Sequence, residues 1–156
     1  MNEYLLEARE ELKRLEHIIY VSLKYSRTTD VLVNALHRLI SVYDLIIEGY
    51  LEDAKEKGLI DALPKSPALR AKRLGEMYNQ DAELQKYMTF YAFLKTILKL
   101  PYQKRQEYRR HVTLIVELEN NATAEMDIDS LMNCEKFSHR FFRYAWGKIV
   151  GIPEED

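Results

Sequence analysis

The chain has 156 residues, 47% of them apolar, with 23 Lys and Arg set against 25 Asp and Glu for a net charge of −2. That length and apolar share are enough for one helical domain over residues 1–156 with its own core, and the balanced charge excludes a global pull toward nucleic acid, leaving any such binding to local patches. Only 5 glycines and 4 prolines argue against a loop-rich β-sandwich and against glycine-rich phosphate cradles.

From Glu3 to about Tyr25, Leu5, Ala8, Leu12, Leu15, Ile19 and Ser22 or Leu23 recur at steps of three and four, which predicts one amphipathic helix. Acidic residues crowd its first half, as the helix dipole favours. Charges interrupt the leucines from the third residue on, so no secretory hydrophobic region is expected. The polar run Ser26-Arg27-Thr28-Thr29-Asp30 offers several N-caps to a second long helix, where Val31, Ala35, Leu39, Val42, Ile46 and Tyr50 resume the period and Gly58 supplies the stop. A short turn between two long helices predicts an antiparallel hairpin.

Residues 59–66 read as a connector, and Ser66-Pro67 as a cap followed by proline at the first helical position of a short helix to about Tyr78. Asp81 then caps a fourth helix carrying Leu84, Tyr87, Met88, Tyr91, Leu94 and Leu98, which Pro101 ends. Residues 102–110 are polar and basic and read as a short helix. After them the period changes to strict alternation, Val112, Leu114, Val116 and Leu118 on one side and Ala124, Met126 and Ile128 beyond Asn120-Asn121, which predicts a β-hairpin within residues 112–128. Asp129 or Ser130 caps a last helix with Leu131, Cys134, Phe137, Phe141 and Ile149 at core spacing. The expected fold is therefore mainly α, a bundle of five to six helices with one small β-hairpin.

Cys134 is the only cysteine, so no intrachain disulfide can form and a reducing compartment fits. Apolar runs such as residues 45–47 and 112–116 fall far short of the roughly 20 residues a membrane helix needs. A soluble, cytoplasmic protein is the expectation. Four tyrosines, Tyr43, Tyr50, Tyr87 and Tyr91, repeat at helical spacing, and aromatics mark interface cores, so a homodimer is expected.

Chemistry-bearing residues are few. His17 and His37 read as helix-surface residues. His139 lies four residues after Glu135, on one helical face, where the two can pair and would supply half of a metal site. No second carboxylate–histidine pair of the kind appears, so neither a metal nor another cofactor is expected. The carboxylates Glu7, Glu10, Glu48, Glu52 and Asp53, weighed as Mg²⁺ ligands of a helical nucleotide pyrophosphohydrolase, fall on faces the periodicity exposes. The dense cationic stretch is Lys104, Arg105, Arg109, Arg110 and His111, interleaved with Tyr102 and Tyr108. Such a cluster holds phosphates while the rings accept unstacked bases, although charge runs are also ordinary solvated faces.

Arg105 and His111, separated by QEYRR, together with the helical stretch SRTTDVLVNALHRLISVYDLIIEGYLEDAKEKG, make the chain resemble the HEPN superfamily. That resemblance implies an all-helical fold, commonly dimeric, that binds RNA or a protein partner such as a nucleotidyltransferase, with metal-independent endoribonuclease activity in its catalytic members. It assigns Arg105 and His111 the catalytic positions. His111 would take the 2′-hydroxyl proton and Arg105 would stabilise the phosphorane, with Lys104, Arg109, Arg110, Tyr102 and Tyr108 contacting RNA. The alternative from a different class is a non-catalytic dimeric interaction or assembly protein whose basic cluster only solvates it.

Overall fold

The computed structural model describes residues 2–151. The apolar stripe at the start of the chain becomes α1 (Glu3–His17), capped by Asn2, whose side-chain oxygen accepts from the Tyr4 and Leu5 amides at 3.1 and 3.2 Å. The helix does not run on uniformly. A π-helical turn, Ile18–Ser22, widens it before a last short stretch, α2 (Leu23–Tyr25). Thr28 then caps the 28-residue α3 (Thr29–Glu56) through a 3.3 Å bond from the Val31 amide. Gly58 takes the left-handed conformation expected of it, with φ +77°, and its amide donates to the Lys55 carbonyl at 3.0 Å.

Helices α1 and α3 lie antiparallel, as the short turn predicts. Asn2 at the start of α1 donates to the Gly49 carbonyl near the end of α3 at 2.8 Å, and Glu11 meets Arg38 at 3.0 Å midway. Only glycine fits position 49 without displacement, because a Cβ there would stand 3.2 Å from Leu5 Cδ2 and Cγ. Glu11 is buried yet carries two guanidinium partners, Arg14 at 2.8 Å and Arg38 at 3.0 Å, which offset its desolvation.

Ser66 and Pro67 open α4 (Pro67–Met77), and Asp81 caps α5 (Ala82–Lys99) through the Leu84 amide at 3.1 Å. The same carboxylate accepts from Tyr144 Oη at 2.6 and 2.7 Å, tying α5 to the final helix, α6 (Ile128–Ile149). The cap of α6 is Asp127, which accepts from the Ser130 amide at 2.8 Å, rather than Asp129 or Ser130. Asp127 is the residue whose backbone is still extended, and an N-cap needs that geometry.

The alternating segment forms the expected hairpin, β2 (Thr113–Glu117) and β3 (Thr123–Met126), with Asn120 and Asn121 both at φ +62° in the turn. Asparagine tolerates that region better than any other non-glycine residue. A third strand joins it. Residues 102–110, expected as a helix, instead hold β1 (Tyr102–Arg105) and a turn, with β1 antiparallel to β2 and the sheet ordered β1-β2-β3. Leu114, Val116 and Met126 point into the bundle, whereas every residue of β1 is exposed, so no apolar alternation marks it in the sequence. Lys104 and Arg105 on this outer strand discourage further strand pairing.

The four tyrosines expected at an interface lie inside the core. Tyr43, Tyr50, Tyr87 and Tyr91 are all buried; the first three pack around Phe141 of α6, with ring centroids 5.1 Å away for Tyr43 and 4.6 Å for Tyr87, and Tyr91 stacks on Tyr43 at 6.0 Å. Charged acceptors at the core margin satisfy two of the hydroxyls, Tyr91 donating to Asp44 and Tyr87 to Glu83, whereas those of Tyr43 and Tyr50 are buried without a hydrogen-bond partner among the described residues. These rings therefore give no surface to a second copy. Among the described residues no helix is long and apolar enough to cross a membrane.

Candidate nucleic-acid interface

Residues 106–112, between β1 and β2, form a tight tip that the local chemistry both bends and anchors. Gln106 and Tyr108 adopt φ +54° and +67°, and the Arg109 and Val112 amides donate to the Gln106 and Arg109 carbonyls at 3.1 and 3.0 Å. Non-glycine residues held in the left-handed region persist only where surrounding contacts impose them. Two contacts do so here. The Tyr108 amide donates to the Arg27 carbonyl at 2.7 Å, and the Glu107 carboxylate accepts from the Thr29 amide at 3.0 Å and from its hydroxyl.

Glu107 thus sits at the N-terminus of α3, where the free amides and the positive end of the helix dipole favour an anion. The Thr29 hydroxyl bond first, and then the Thr29 amide and nearby Lys104, hold its carboxyl below the ordinary glutamate range. This latch docks the tip on the turn between α2 and α3.

Docking gathers cations that are far apart in sequence. Lys24 from α2, Arg27 from the turn that follows it and Arg110 from the tip surround one cleft, floored by Ile19, Leu23, Ile128 and Met132, with Tyr20 at its rim. Arg27 Nε is buried without a hydrogen-bond partner among the described residues, so its desolvation is not offset there. Arg110 pairs with Asp129 at 3.1 Å, both side chains about half exposed, an interaction that contributes about 0–1 kcal/mol and yields readily to a competing anion.

The other residues singled out from the sequence stand as follows. Lys104, Arg109, Tyr108 and His111 are exposed on or beside the tip, and Tyr102 opens β1 with its ring partly exposed. Arg105 reaches across β2 to form an ion pair with Glu125 on β3. His111 contributes its carbonyl to the Thr113 hydroxyl at 2.8 Å. Among the described residues no hydrogen bond or ion pair joins Arg105 to His111, and both lie outside helices, on a strand and in a turn. Lys24 and Arg27 were missed as site residues because in the sequence they read only as helix flank and capping turn. Their signal is the clustering of cations at two ends of a contact that only the fold creates.

The carboxylates considered for Mg²⁺ do not converge. Glu7 pairs with Arg14 at 3.0 Å, Glu10 with Lys13 at 3.3 Å, Glu48 with Arg70 at 3.6 Å and Asp53 with Lys57 at 2.9 Å. Asp53, expected on an exposed face, is buried. The half-site Glu135–His139 does acquire a third group. His139 Nε2 stands 3.1 Å from Glu135 Oε1 and 2.7 Å from Glu16 Oε1 on α1.

Comparison with known proteins returns nothing: no protein family, no curated protein and no solved structure matches the chain.

Proposed function

We propose that this protein binds single-stranded RNA along the cleft between the basic tip and the α2–α3 turn. The observation that carries this reading is the convergence of Lys24, Arg27 and Arg110 on one cleft with an apolar floor. Phosphates meet fixed cations there, and Tyr20 at the rim and Tyr108 on the tip offer stacking faces to bases. Lys104 and Arg109 extend the positive surface past the tip. The Arg105–His111 spacing that resembles the HEPN signature supplies a sharper version, metal-independent cleavage with His111 as base and Arg105 as the phosphorane's cation. Because Arg105 is engaged by Glu125, the geometry supports binding more directly than cleavage.

Fluorescence anisotropy with a labelled single-stranded oligoribonucleotide in EDTA tests this. Lys24→Ala and Arg110→Ala should each weaken binding several-fold, and His111→Ala should leave affinity within twofold while removing any cleavage. Equal affinity across wild type and both cleft variants would overturn the reading.

A second reading, a homodimeric interaction protein, is favoured by another surface. Phe90, Phe93 and Phe137 form a run of rings on α5 and α6, with centroids 6.4 Å apart for Phe90–Phe93 and 5.3 Å for Phe90–Phe137. Phe93 is 37% exposed. Sedimentation of wild type against Phe93→Glu reads this out, with a dimer that the variant dissociates as the supporting result and a monomeric wild type as the opposing one.

A further inference from the structure

We infer that Glu16, Glu135 and His139 form a binding site for a divalent transition-metal ion. The three ligand atoms come from two helices, Glu16 from α1 and the i, i+4 pair Glu135 and His139 from α6, and all lie within 4.8 Å of one another. Among the described residues this is the only such group of three or more. Nε2 of His139 faces both carboxylates, at 2.7 and 3.1 Å. An ion bound at about 2.0–2.2 Å holds neighbouring ligands roughly 2.9–3.5 Å apart, so the two distances from His139 need only small adjustments, while the two carboxylate oxygens, within 4.8 Å of each other, close on a metal by side-chain rotation.

Without an ion the arrangement is poorly matched to itself. One ring nitrogen carries at most one hydrogen, and that hydrogen cannot point along a straight line at two carboxylate oxygens. The cost is heightened at Glu135, which is buried, while Glu16 and His139 are partly exposed. A cation replacing that hydrogen satisfies all three groups together.

The surroundings fit a site built to hold one. Tyr20 Oη stands 3.5 Å from Glu135 Oε2, the oxygen not turned toward His139, and is placed there by the π-helical turn that directly follows α1. Such turns are rare and are enriched at functional sites. An outer partner of this kind orients a ligating carboxylate. The open side of Glu16 and His139 faces a cleft of about 190 Å³ lined by Arg9, Lys13 and Arg143, which leaves coordination positions to water or an anionic co-ligand. One imidazole with two carboxylates suits Zn²⁺, Co²⁺, Mn²⁺ or Fe²⁺ better than the all-oxygen preference of Mg²⁺ or Ca²⁺.

The test uses the full, tag-free chain stripped with EDTA and dialysed, titrated with Co²⁺ and Zn²⁺. Co²⁺ gives visible absorption that reports nitrogen and oxygen coordination, and calorimetry with Zn²⁺ gives stoichiometry. One ion per chain is expected, with Glu16→Gln and His139→Gln each lowering affinity at least tenfold. Glu16 is exposed enough for its variant to fold, and thermal melts check both variants. Zn²⁺ should raise the melting temperature of wild type and not that of Glu16→Gln. Absence of saturable binding up to 100-fold excess ion, or a site whose affinity both variants leave intact, overturns the inference. RNA binding in EDTA is a separate measurement and does not bear on it.

Discussion

Removing the Glu107 latch separates docking from charge as the basis of the cleft. In Glu107→Ala the amide and hydroxyl of Thr29, a residue with 0% exposure, lose their acceptor, and the α3 N-terminus keeps only Asp30 of its two nearby anions. A hydrogen bond to a charged group contributes about 1.5–3 kcal/mol when buried, which solvent screening at the half-exposed Glu107 reduces to about 1–2 kcal/mol. For a chain of this size that loss lowers the melting temperature by about 3–6 °C. The pH dependence has a definite sign. A carboxyl held below its ordinary range stabilises the fold above that range, and the contribution disappears as pH falls through the folded value. The gap between wild type and variant should therefore be full at pH 7 and closed by strong acid. RNA affinity supplies the sharper contrast. Deleting an acidic group from a cationic surface by itself strengthens anion binding, whereas undocking the tip draws Arg110 away from Lys24 and Arg27 and weakens it. Anisotropy should show weaker binding, by at most the roughly 5–30-fold that 1–2 kcal/mol allows. Tighter binding by the variant, or an unchanged melting temperature, would refute the latch.

Gly49→Ala should destabilise by about 1–2 kcal/mol in urea unfolding, because the clash with Leu5 exceeds the helix propensity that alanine gains. Cys134, whose thiol burial pushes up to about 11, should react slowly with a disulfide reagent at pH 7.5 in the native protein and at once in denaturant; fast native labelling would contradict its placement. Asn120→Val should cost about 1–2 kcal/mol, since a β-branched residue resists φ +62°, with Asn120→Gly near neutral in the same thermal melts.

The helices and the β2–β3 hairpin were legible because their apolar residues keep a period, and the period reports which face is buried. Where burial is absent the signal goes with it. Strand β1 is exposed along its whole length, so Gln103, Lys104 and Arg105 carry nothing that distinguishes a strand from a polar helix. The tyrosines misled for a related reason. Spacing marks them as one-sided but does not say whether the hydroxyl meets water or a carboxylate, and Asp44, Glu83 and Asp81 supply the acceptors that let Tyr91, Tyr87 and Tyr144 pack in the bundle. Within the candidate sites the visible half was the local half. The basic run and the Glu135–His139 pair stand out along the chain, whereas Lys24, Arg27 and Glu16 reach them only through contacts between distant elements. Glu16 and His139 are 123 positions apart, and nothing in either segment names the other.

The salt dependence of RNA binding tests the central claim most directly. Each phosphate neutralised on a single strand contributes a slope of about −0.7 in log affinity against log salt, so contacts from Lys24, Arg27 and Arg110 give wild type a slope near −2. The account predicts that replacing all three with alanine removes most of that slope and most of the affinity at low salt. A triple variant that binds the same oligonucleotide with the wild-type slope, or a wild type that does not bind it, would contradict the account.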